Sequence, residues 1–168
     1  MISFIEAYKT ELTQEAEQTR RMLQQAPADR QDFAPHAKSM KLGVLAVHLA
    51  TIPDMIVTGL LQDKWDFGDG EWNPPTWNTT EELLAIFDKS YQEAMDALNQ
   101  SDDSILEKKW QLTAGEVVYL NIPKWEAVRH AFGQNAHHRA QLGVYLRLLD
   151  IPVPGPYGPS ADESKGLV

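Results

Sequence analysis

The chain has 168 residues, 43% of them apolar and 23% charged. That size and balance suit one folded domain and exclude a wholly disordered chain. A net charge of −9 repels phosphate backbones and anionic lipid, so neither nucleic acid nor a membrane surface is expected as a partner.

No apolar run approaches the roughly 18 residues of a membrane span, so none is expected. There are no cysteines, which excludes disulfides, thiolate zinc sites and a Cys nucleophile. The start, MISFIEAYKTELTQE, carries acidic residues early and lacks the basic-then-apolar order of a signal peptide, so a cytoplasmic location is expected.

The first helical stretch runs from about Ser3 to Gln25. Ile5, Tyr8, Leu12, Ala16, Thr19 and Leu23 step by three or four and lay a stripe along one face. Ala26-Pro27 stops it, because the residue before a proline avoids the helical region.

The second stretch runs from about Lys41 to Leu61, with Ser39 as its expected N-cap. Its stripe is Leu42, Leu45, His48, Ile52 and Ile56. Pro53 cannot donate to the carbonyl four residues back, so a kink is expected one turn beyond His48.

Residues 62–78 are too long for a tight turn. They hold Trp65, Trp72, Trp77 and a Pro-Pro pair, and such aromatic loops are usually functional or packed rather than disordered. The third helix runs from about Glu81 to Asn99, with Thr79 and Glu82 at capping-box spacing. Residues 108–121 have the pattern of a short β-hairpin turning at Thr113-Ala114-Gly115-Glu116.

The fourth helix, about Lys124 to Asp150, is the longest. Its stripe is Trp125, Val128, Phe132, Asn135, His138, Leu142, Tyr145 and Leu149. Arg139 and Gln141 are expected on its exterior or against a partner chain. The tail 151–160 carries four prolines and must be extended.

The expected fold is therefore all-α: a four-helix bundle with a long crossover connection and a short β-hairpin between helices three and four. Residues 1–160 form the domain and 161–168 a flexible tail.

Histidines inside the stripes carry the chemistry. His48 lies between Leu45 and Ile52 and points inward. His138 lies on the inward face of the fourth helix, with Gln134 one turn before it and His130 one turn before Gln134. A buried imidazole needs a partner, since leaving it bare costs about 1–3 kcal/mol. Satisfied core histidines and metal ligands are both open readings, because bundles build metal sites from facing inward side chains, yet two imidazoles fall short of the usual three protein ligands. His137 points about 100° away from His138. Asn135 is a further inward polar group, His36 a surface residue, and Asp54 either an exposed residue at the kink or a partner to a ligand. No GxSxG, P-loop, GxGxxG or HExxH segment occurs.

The segments LGVLAVHLATIPD, AHHRAQLGVYLRLLDIPVP and YGPSADE resemble the DinB family of bacterial proteins, unrelated to the polymerase that shares the name. The resemblance spans nearly the whole chain, with Ala140 where the family's HHRGQL signature has Gly. It implies a four-helix bundle, usually a homodimer, holding a divalent metal, often nickel or zinc, on three histidines. One of these matches His48 and one matches His138. The third falls on Gln134, a neutral amide, so affinity and occupancy should drop.

Relatives in such bundles include transferases that use low-molecular-weight thiols. The resemblance thus implies a metal-dependent transferase or hydrolase acting on a small molecule, with metal ligands His48, His138 and Gln134. His130, Asn135, Trp65, Trp72 and Trp77 would sit around the pocket. The alternatives are a non-catalytic ligand-binding protein with a degraded metal site and a structural dimeric bundle.

Overall fold

The computed structural model describes residues 3–68 and 73–164. The chain is mostly helical with one small sheet. Its elements are α1 (Phe4–Leu23), α2 (Leu42–Thr51), α3 (Asp54–Leu61), β1 (Lys64–Asp66), α4 (Thr80–Gln100), β2 (Lys109–Ala114), β3 (Val117–Pro123) and α5 (Lys124–Leu148). Single 3-10 turns lie at Ala28–Arg30 and Asp103–Ile105.

Apolar stripes explain the packing. Ile5, Tyr8 and Leu12 of α1, Leu42, Leu45 and Leu49 of α2, Leu83, Phe87 and Leu98 of α4, and Val128, Leu142 and Leu146 of α5 are all buried in one core. Both α4 and α5 pack on α1, α2 and α3.

Between α2 and α3 the expected kink falls at Ile52-Pro53, two residues that keep right-handed helical dihedrals while the regular hydrogen-bond ladder is interrupted. Two short helices, Leu42–Thr51 and Asp54–Leu61, replace one long one. Pro53 has no N–H to continue the ladder, so the chain passes through tighter bonds, Met55 N–H to Ile52 O at 3.0 Å and Ile56 N–H to Pro53 O at 2.9 Å. Nor does Ser39 cap α2. That place falls to Lys41 without a side-chain bond, and the first amides donate instead to Phe33 O and Gln31 O. Averaged over an 18-residue window, the span Leu42–Leu61 reaches a mean hydropathy of 1.8, long and apolar enough to cross a membrane, although 61% of the window is buried inside the protein. Counting unbroken runs misses it, because His48, Pro53 and Asp54 interrupt the run without cancelling its average.

At the start of α4 the Thr79 hydroxyl accepts from Glu82 N–H, while the Glu82 carboxylate accepts from Asn78 N–H at 2.7 Å. At the end of α5, Ile151 N–H reaches Leu146 O and Asp150 N–H reaches Arg147 O. Asp150 takes a left-handed φ of 57°, the geometry of a Schellman stop.

The sheet runs β1-β2-β3, with β1 parallel to β2 and β2 antiparallel to β3. Strand β1 lies inside the connection that the sequence marks as loop. It sets Trp65 opposite Leu112. Lys124, buried at 3% exposure, ties α5 to the end of α3 by donating to Leu60 O at 3.1 Å and to Gln62 O.

Arg139 is not on the exterior. It is 2% exposed because α5 turns it onto α1, where it pairs with Glu15 at 2.7 Å and donates to Thr19 Oγ1 at 3.2 Å. Its other arm donates to Tyr157 Oη at 2.5 Å, with the guanidinium 5.1 Å from that ring's centroid. Tyr157 in turn donates to Glu15. The proline tail is thereby fastened to the helices. Further on, the Asp162 carboxylate accepts from Arg147 and from Val153 N–H. The Arg147 guanidinium is the main reason its pKa is held down at about 2.

Removing one partner of a buried ion pair leaves an uncompensated charge, at a cost of about 3–5 kcal/mol. Arg139→Met should lower unfolding stability by about 3 kcal/mol, measured by urea titration. Adding Glu15→Gln should recover part of the loss, because it removes the stranded charge.

Candidate functional site

The α2 and α5 helices pack together. Leu45, Leu49 and Ile52 face the core from α2, which turns His48, between them, toward α5. There it meets His138. The two ring centroids are 4.5 Å apart and the planes stand at 78°, edge to face.

Both rings are half-buried. Burial pushes the His48 pKa down to about 4, with the neighbouring His138 adding to it. Burial also lowers His138; its bond to Gln141 opposes the shift and nearby His137 adds to it. At neutral pH both imidazoles are therefore uncharged, the state a metal ligand requires.

A polar ladder runs along α5. His138 Nδ1 lies 2.9 Å from Gln141 Oε1, and His138 Nε2 lies 2.9 Å from Gln134 Oε1. Gln134 Nε2 lies 3.3 Å from His130 Nε2. A neutral imidazole carries one N–H, so it can donate to one of the two amide oxygens and meets the other with a lone pair. Either one amide turns its NH2 to the ring, or a cation is shared by the facing lone pairs. The donor chemistry therefore fits a divalent cation, though with three neutral ligands and no charge to strengthen it. Among the described residues no three His, Asp or Glu side chains gather closely enough to form a metal cluster.

An open cleft of about 420 Å³ adjoins the pair. Its polar wall is His48, Thr51, Asp54, Asn73 and Gln134. Its apolar wall is Ile52, Met55, Trp65, Phe67, Pro75 and Leu112. Asp54 is half-buried rather than exposed, and accepts a bond from Ser90 Oγ at 2.5 Å. Burial raises its pKa, against the pull of that bond.

Of the residues expected around the pocket, Trp65 and Gln134 line the cleft, and His130 touches it through Gln134. Trp77 does not line it. It is 3% exposed and its indole N–H donates to Gly43 O at 3.1 Å. Asn135 also turns away, accepting from Thr19 Oγ1 at 3.1 Å. Trp72 lies outside the described residues. His137 is exposed, with its ring 4.8 Å from His138. Phe67 and Leu112 escape a reading of the sequence, because the pairing of β1 with β2 brings them in, whereas Met55, seven residues after His48, falls on the same helical face. Asp54 was visible as a polar residue six places after His48, but not its burial.

The DinB family model matches residues 1–166. Among solved structures, a DinB-like protein from Bacillus cereus is 21% identical with a TM-score of 0.72, covering 91% of this chain and 97% of that one. A DinB-like protein from Bacillus subtilis is 15% identical with a TM-score of 0.66, covering 87% and 95%. No curated protein matches.

A histidine whose pKa is depressed in the fold takes its proton more readily when unfolded, so stability is lost as pH falls through the unfolded value. For His48 that window runs from about 6.5 down to about 4. Urea unfolding should show stability falling across this window in the wild type, and His48→Gln should flatten the fall.

Proposed function

We propose, from the premise that this chain belongs to the DinB family, that it acts on a small molecule with the help of a weakly held divalent cation. His48 and His138 would supply imidazole nitrogens, and Gln134 an amide oxygen. The observation that carries the reading is the pair of neutral imidazoles, 4.5 Å apart, beside an open cleft.

Nickel and zinc suit such nitrogen donors. When bound, the cation lowers the pKa of a water or a low-molecular-weight thiol and so supplies a nucleophile for a transferase or hydrolase reaction. The chain's own residues set the conditions. Burial keeps His48 and His138 unprotonated. The contact of Gln141 with Nδ1 orients the His138 ring, as the second nitrogen of a ligating histidine commonly requires. The apolar wall takes the body of the substrate and excludes water from it.

The scaffold is read as a four-helix bundle in which α2 and α3 count as one broken member. Its mutual packing of α1, α4 and α5 with that pair supports this. The assembly is read as a homodimer. Exposed Val144 and Leu148, one turn apart on α5, are apolar surface that an interface would cover.

A second reading is favoured by the 2.9 Å contact of Gln134 Oε1 with His138 Nε2. If the amide simply closes that nitrogen, the cleft is a non-catalytic binding pocket. Calorimetric titration of untagged protein with nickel or zinc separates the two. The first reading expects one cation per chain, lost in His48→Ala, and an affinity raised about tenfold or more in Gln134→His, where imidazole replaces a neutral amide. The second expects no cation in the wild type.

A further inference from the structure

We infer that the cleft selects a small amphipathic cation, an amine or quaternary ammonium on an apolar or aromatic body, with Asp54 as its counter-charge. This rests on the reading that the cleft binds a small molecule, and not on whether a metal is held.

Asp54 opens α3 immediately after Pro53, and its carboxyl lines the cleft. Among the described residues its hydrogen-bonding neighbour is Ser90, itself 3% exposed, through one hydroxyl at 2.5 Å. A carboxylate has room for about four hydrogen bonds, so one neutral donor leaves most of its accepting capacity unused. Among the described residues no Lys or Arg lines the cleft, and no ion pair involves Asp54. Glu93 pushes its titration up more than Lys89 draws it down. The charge is thus partly stripped of water and, among these residues, lacks a cation at contact distance.

An ammonium group supplies what is missing, a positive charge and several N–H or polarised C–H donors. The rest of the wall suits the same ligand. Trp65 and Phe67 bring two aromatic rings to the cleft, and ring faces attract cations. Ile52 and Met55 offer apolar surface for its body. An anionic ligand would meet Asp54 with no basic residue of the described wall to offset it, on a chain of net charge −9. A neutral one would leave the carboxylate desolvated and unpaired, which is costly. Asp54 opens α3 while His48 belongs to α2, so the ammonium and any group at the imidazoles are assigned to different side chains of the wall.

The test uses the full chain, treated with chelator, and three probes that share one phenethyl-type body: phenethylamine, phenethyl alcohol and phenylacetate. Binding is followed at neutral pH by tryptophan fluorescence and calorimetry. The amine should bind about tenfold or more tightly than the alcohol, the yield expected of one charge-assisted bond, and phenylacetate should bind least. Asp54→Asn keeps the shape and an acceptor for Ser90. It should bring amine and alcohol within about threefold of each other, chiefly by weakening the amine. Circular dichroism and urea unfolding verify that the variant is folded; Ser90→Ala, which keeps the charge, should retain the preference. Equal binding of amine and alcohol by the wild type overturns the inference, as does a preference that survives in folded Asp54→Asn. Absence of saturable amine binding at about 10 mM overturns it too. Because every arm is metal-free, failure of the metal reading leaves these results unaffected, while failure of all three probes to bind counts against the small-molecule reading itself.

Discussion

Two imidazoles withdrawn from water at the crossing of α2 and α5 set the terms for the rest of this structure. Their burial keeps them neutral. Their neutrality makes them acceptable inside a core, and it leaves lone pairs that amides or a cation must meet. The surroundings of the pair answer that demand. Gln134 and Gln141 stand one helical turn to either side of His138 on α5, where the repeat of the helix brings their amides to its two nitrogens. The cleft opens beside them rather than over them, so His48 and Gln134 form part of its wall while His138 stays behind.

Buried polar groups recur along α5. Lys124 closes the end of α3, Asn135 and Arg139 lock onto α1, and His138 faces α2. Lys124, Asn135 and Arg139 are satisfied by partners on other elements, and His138 by Gln134 and Gln141 of α5 itself. A helix burdened in this way gives up part of its apolar seam, and what it gains is position. Polar contacts with strict geometry fix the rotation of α5 more tightly than interchangeable aliphatic contacts do. The consequence at the cleft is that His138 and Gln134 are held on the side facing α2.

Pro53 interrupts the ladder between α2 and α3, and Asp54, the first residue of α3, lines the cleft beside His48, Thr51 and Met55. Residues shortly after α3 then reach β2, and β1 pairs with it. That pairing carries Trp65 and Phe67 to the mouth. The chemistry of the cleft, a carboxylate among aromatic and aliphatic side chains, thus draws on the start of α3 and one short parallel pairing.

Much of this was legible in the sequence for a physical reason. Helix periodicity is local, so the stripes that carry Leu45, His48 and Ile52, or Val128, His138 and Leu142, report which faces are buried without knowledge of what buries them. The same patterns, together with the resemblance around His48 and His138, located the family and the inward imidazoles. Other features depend on partners distant in the chain. Arg139 looked like a surface residue because its charge is paired by Glu15, more than a hundred positions earlier. Trp77 looked like part of the pocket mouth, but Gly43 offered its carbonyl and drew it into the core. Asp54 and β1 owed their places to Ser90 and β2. Local sequence determined which side chains turn inward; only the tertiary structure decided which of them meet, because burial is a property of a face and contact is a property of two.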